Sequence, residues 1–163
     1  MKLPVHAFWD IYPETLLKLL KESEIQYDWE EDVNLSIWSK YMFIAAYGLV
    51  TAAYNKTVRE VLEDKEKGAI TREIMQEIDA IARKLNIALP EDIVETSFIK
   101  ANQFPYEAKT SFQRDVEAKG KINEGDLFGG TLIRYGEKYD IPTPQTKMVC
   151  DKLMNDITKN FEQ

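Results

Sequence analysis

The sequence predicts a mainly α fold, a compact helical bundle of about six or seven helices. Three observations carry that prediction. Apolar residues recur at helical spacing through most of the chain, as in Ile70, Ile74, Ile78, Ile81 and Leu85. Prolines stand where such runs open, at Pro13, Pro90 and Pro144. Only residues 25–29 alternate apolar and polar in the manner of a brief strand.

With 163 residues and 44% hydrophobic content, the chain can bury a full core as one domain. Its 28 acids against 21 bases give a net charge of −7, which argues against nucleic acid because phosphate contacts need a concentrated positive face. The single cysteine, Cys150, forms no internal disulfide, and the start of the chain has neither a basic signal region nor an apolar segment of spanning length. A cytoplasmic protein without membrane partners is the expectation.

Residues 1–10 have no lasting period, and Phe8 and Trp9 there are apolar residues of a leftover linker. Pro13 opens a short amphipathic helix whose apolar side is Leu16, Leu17, Leu19 and Leu20, ending near Ser23. The strand expected over 25–29 would present an unpaired edge, which invites association.

Residues 35–54 form the central helix, because Ile37, Trp38, Tyr41, Met42, Phe43, Ile44, Leu49 and Val50 cover every side of it. Lys40 is its only charge. An ammonium there must snorkel, find a partner or lose its proton, since burying it unpaired is costly. Helix pattern alone favours a snorkelling lysine over a catalytic one.

A second long helix is expected over residues 69–85, with Glu73, Glu77 and Asp79 on a solvated polar face, where they carry little weight as metal ligands. Pro90, Glu91 and Asp92 open the next helix, which runs through Ala101. Another is expected over 106–118, then one over 126–139, then a last one from Pro144, with Thr143 as its cap. Gly129 and Gly130 lie inside a periodic run, where each glycine costs about 1 kcal/mol, so close approach of a backbone or a ligand is expected there. His6, the only histidine, lies in the irregular start, so a histidine base, metal site or catalytic triad has no support. Cys150 sits on a core face and reads as an inert thiol.

Residues 109–144 read KTSFQRDVEAKGKINEGDLFGGTLIRYGEKYDIPTP. The pair Thr110 and Ser111 before Asp115, the Glu124 and Asp126 that open a helix, and the Ile141-Pro142-Thr143-Pro144 exit resemble the C-terminal, substrate-binding domain of the ketopantoate reductase family, a helical fold shared with 6-phosphogluconate dehydrogenase-like proteins. Trp38 followed by Lys40 resembles the family's placement of its catalytic lysine. Where the family usually has asparagines, four and eight residues beyond that lysine, this chain has Ile44 and Gly48.

The resemblance implies an NADPH-dependent reduction of 2-dehydropantoate or a similar 2-oxo acid. Lys40 would be catalytic, with Thr110, Ser111, Gly48 and Glu124 binding substrate. The residues themselves leave other roles open: Thr110 and Ser111 as hydroxyls bonded to the preceding helical turn, Glu124 as a first-turn acid, Asn123 as its cap. No G-x-G-x-x-G follows a strand anywhere in the sequence, so no cofactor-binding residue is assigned. Residues 1–30 are then a residual linker, short helix and strand from the junction with a missing Rossmann domain, and 31–163 the substrate-binding domain. Such a chain would not turn over substrate alone. An alternative is a non-catalytic helical module that associates through its Trp9 and Trp29 region, with a homodimer as one form of that association; another is a reductase of a different 2-oxo acid, since Ile44 and Gly48 remove two amides from the pocket.

Overall fold

A computed structural model describes residues 12–27, 30, 32–118 and 125–161. They fall in two compact units, residues 1–32 and 33–163. Every regular element among the described residues is helical, in agreement with the expected mainly α class.

The first unit holds α1 (Tyr12–Glu22). It ends where Glu24 takes a left-handed conformation, φ 54°, and Ile25 N–H donates back to the Leu20 carbonyl at 3.0 Å. The strand expected over 25–29 does not form over Ile25, Gln26 and Tyr27. No described strand offers them ladder hydrogen bonds, and Ile25 and Tyr27 are exposed. Phe8, Trp9, Asp28 and Trp29 lie outside the described residues.

In the second unit, α2 (Val33–Tyr54) is the central element, packed against α4 (Lys65–Lys84), α6 (Ser111–Glu117) and α8 (Pro144–Phe161). Met42, Ala45, Ala46, Tyr47, Leu49 and Val50 are fully buried in it, as an all-round apolar helix requires. Asn55 then turns left-handed, φ 49°, and Lys56 N–H donates to the Thr51 carbonyl at 3.1 Å, closing the helix.

α3 (Val58–Glu63) was not expected. It is opened by a capping box in which the Thr57 hydroxyl accepts from Glu60 N–H and the Glu60 carboxylate accepts from Thr57 N–H. Asp64 closes α3 and caps α4, its carboxylate accepting from Glu66 and Lys67 N–H at 3.1 Å. The second long helix therefore starts at Lys65, earlier than its apolar face suggested. α5 (Ile93–Ala101) follows and is tied to α4 through Arg72 and Glu95.

The helix expected over 106–118 begins only at Ser111, because Thr110 is extended and its hydroxyl caps Gln113 N–H at 3.1 Å. Residues Asp126–Gly130 form a π-helical turn that leads into α7 (Thr131–Tyr139). Asp140, at φ 56°, and the Ile141 N–H to Gly136 carbonyl bond of 2.8 Å end α7. A Cβ on Gly136 would lie 2.6 Å from the Ile141 carbonyl, so the exit segment passes too close for any other residue.

One expected solvated acid is buried. Glu77 accepts from Gln145 N–H at 2.8 Å, from Thr146 N–H at 3.0 Å and from the Thr146 hydroxyl at 2.5 Å, so its carboxylate caps the positive start of α8. Glu73 is exposed and Asp79 pairs with Arg83 at 2.7 Å, so the three acids do not share a site.

Candidate functional site

Lys40, Ile44, Gly48 and Thr51 fall on one face of α2 by helical spacing, with Val33 and Ile37 continuing that stripe toward its start. Lys40 is exposed and has no ion pair among the described residues, so its amine stands outside the core. Ile44, 37% exposed, puts an apolar side chain one turn further along, where an amide was usual in the resembling family.

Gly48 is buried against two rings. A Cβ there would touch Phe112 and Phe128 at 3.6 Å, an ordinary contact, so packing alone does not demand glycine. The rings meet edge to face, 5.4 Å apart at 84°, and join α2, α6 and the π turn.

At the far end of the stripe the Thr51 and Thr110 hydroxyls are 2.9 Å apart. That contact fixes the cap of α6 on α2, and Ser111, the first residue of α6, is exposed beside it. Thr110 thus bonds forward, to Gln113 N–H, and across to Thr51, not to the preceding turn. The structure brings Gly48, Thr51, Thr110 and Phe112 together. Lys40 lies two turns away along the same face, about 12 Å from Gly48 by helical rise. Asn123 and Glu124 lie outside the described residues.

The glycine pair has a side-chain explanation, where a backbone or a ligand was expected. A Cβ on Gly129 would lie 2.1 Å from Cys150 Sγ, and one on Gly130 would lie 2.2 Å from Asp126 Oδ1. Asp126 accepts two hydrogen bonds from Arg134, at 2.7 and 3.1 Å, and that guanidinium holds its carboxyl below the ordinary range. Burial pushes the Cys150 thiol up to about 11, in keeping with an inert thiol.

The sequence presents Tyr41 only as part of the apolar cover of α2. Its hydroxyl reaches the carbonyls of Leu127 and Phe128 at 3.0 and 3.1 Å, and its ring packs edge-on against Trp38, 5.8 Å away. Burial, then the neighbouring Tyr135, raise its pKa, so the phenol keeps the proton that it donates. Its residue type gave no signal, because the partners lie 86 and 87 positions away.

Among the described residues no helix is long and apolar enough to cross a membrane. The model of the family described as "Ketopantoate reductase PanE/ApbA C terminal" matches residues 32–155. An uncharacterized oxidoreductase of Bacillus subtilis, YkpB, is 27% identical over 121 residues, which are 74% of this chain and 40% of that protein. A 2-dehydropantoate 2-reductase of Streptococcus pyogenes is 23% identical over 138 residues, covering 82% of this chain and 43% of its own length. The crystal structure of 2-dehydropantoate 2-reductase from Methylococcus capsulatus superposes with a TM-score of 0.77 at 28% identity, over 92% of this chain and 47% of that one. The chain spans less than half the length of these relatives.

Proposed function

Because the chain belongs to the ketopantoate reductase family, as its C-terminal domain, we propose that it supplies the substrate-binding half of an NADPH-dependent oxidoreductase acting on 2-dehydropantoate. The observation that carries this reading is the exposed Lys40 on the one face of α2 that also leads to Gly48 and to the Thr51–Thr110 contact. Lys40 holds a proton at Nζ and gives it to the ketone oxygen as negative charge develops there. Ser111 donates to the carboxylate end of the substrate near Gly48, and Thr110, its hydroxyl engaged with Thr51 and with Gln113 N–H, serves substrate binding by fixing the start of α6. Glu124 orients the substrate's hydroxyl.

The described residues do not fit the cofactor. They contain no strand, and so no strand–turn–helix unit to seat a pyrophosphate on a helix N-terminus. A Rossmann domain is therefore a required partner, and the exposed Val33 and Ile37 offer it an apolar contact beside Lys40. The site works in the cytoplasm on a small, soluble 2-oxo acid.

Pantoate, the reduced product, tests the assignment on this chain directly. Binding that is lost in Lys40→Ala and Ser111→Ala, with the fold retained, supports it; wild-type binding that survives both substitutions sinks it. Ile44 favours a second reading, a 2-oxo acid with an apolar substituent, because its side chain offers a hydroxyl no hydrogen bond. A 2-hydroxy acid with a branched apolar side chain that binds more tightly than pantoate would select that reading.

A further inference from the structure

The π turn at Asp126–Gly130 is the least expected piece of backbone among the described residues, and two glycine clearances and two sets of side-chain hydrogen bonds accompany it. Gly129 leaves room for Cys150 Sγ, and Gly130 leaves room for the Asp126 carboxylate. Arg134 clamps that carboxylate and also donates to the Thr131 hydroxyl at 3.0 Å. The fourth is Tyr41, whose hydroxyl lies on the Leu127 and Phe128 carbonyls. A π turn gives up regular α-helical bonding, and such turns are frequent at functional sites. The Arg134 and Tyr41 hydrogen bonds hold this one in place.

Tyr41 is the residue after Lys40, and Phe128 of the turn it holds lies against Gly48, where a Cβ would touch its ring at 3.6 Å. One phenol hydrogen therefore links the helix that carries Lys40 and Gly48 to a turn packed on that same helix. We infer that Tyr41 is a positioning residue of this site: by holding the Leu127 and Phe128 carbonyls, it sets the π turn relative to Lys40. The inference rests on the function proposed above. Its aromatic ring has a separate packing role, against Trp38 and against Phe128 at 6.4 Å, which Tyr41→Phe leaves in place.

The test compares wild-type chain and Tyr41→Phe for pantoate affinity by NMR titration, and for amide hydrogen exchange over residues 126–132 and over α4. Losing one neutral hydrogen bond should weaken pantoate binding about 2- to 10-fold and speed exchange in the turn by a similar factor. Exchange in α4 should not change, which certifies the fold. Equal affinity in wild type and variant overturns the inference while leaving the proposed function intact. Exchange that accelerates equally in α4 and the turn also overturns it, since the hydroxyl is then a general support of the core. No pantoate binding by the wild-type chain overturns both the ligand assignment and the inference built on it.

Discussion

The hydroxyls of Thr51 and Thr110 lie 2.9 Å apart, joining the helix that bears Lys40 to the cap of the helix that begins at Ser111. Thr110 has two jobs there, since it also accepts from Gln113 N–H at 3.1 Å. Thr110→Ala removes both and should cost about 1–2 kcal/mol. Thr110→Ser keeps both, and Thr51→Val removes the cross-helix bond together with the one that the Thr51 hydroxyl donates to the Gly48 carbonyl at 3.2 Å, for about 1–2 kcal/mol. Urea unfolding of the three variants checks this; a Thr110→Ala loss no larger than that of Thr110→Ser would mean that neither the cap nor the cross-helix bond contributes.

The buried Glu77 carboxylate and the start of α8 depend on each other through three donors. Glu77→Ala strands the Gln145 and Thr146 N–H groups and should cost about 3 kcal/mol, near the upper range for bonds to a charged acceptor. Glu77→Gln keeps one acceptor oxygen and should cost about half as much. If thermal unfolding places Glu77→Ala within a degree or two of wild type, the carboxylate does not anchor α8.

The long helices were legible because their apolar residues report burial on a local period. α3 was missed because two turns are too short for a period, although Thr57 and Glu60 carry the capping-box spacing that marks its start. The early start of α4 is likewise written in Asp64, a cap that lies before the first apolar residue of the stripe. Residue type could not reveal that Glu77 is buried, because what buries it is the start of a helix 68 positions away. Lys40, Thr110 and Ser111 are proposed from their order in the chain. The bonds by which Tyr41 ties α2 to the π turn and Thr51 ties it to the cap of α6 could not be read there, since they exist only once distant segments have packed.

Gly129 lets Cys150 sit against the π turn, so a methyl group placed there meets Sγ. Gly129→Ala should destabilise by about 1–3 kcal/mol, the usual cost of overpacking. Cys150→Ala in the same chain should recover much of that loss, giving a coupling of about 1 kcal/mol or more in the double-mutant cycle. Independent, additive losses would show that the strain lies elsewhere. The same burial makes Cys150 slow to react with a thiol reagent at neutral pH, because its thiol titrates only near 11.

The pH range of stability is bounded at both ends by groups whose shifts have opposite causes. The Arg134 guanidinium lowers Asp126, the Arg72 guanidinium lowers Glu95, and backbone N–H groups of Thr57 and Lys67 lower Glu60 and Asp64. With folded values below the unfolded ones, their contribution is complete above about pH 4.5 and is lost as pH falls through the folded values. Burial raises Tyr41 and Tyr47, so their contribution is complete below about pH 10 and is lost as pH rises through the folded values. The Tyr47 hydroxyl has no hydrogen-bond partner among the described residues, so Tyr47→Phe removes an unsatisfied buried group and should raise stability at pH 7 by about 1 kcal/mol. It should also flatten the alkaline fall in Tm, while leaving the acid fall unchanged. A Tyr47→Phe chain less stable than wild type at pH 7, or one with the same alkaline fall, would rule out the neutral, unpaired phenol as the group responsible.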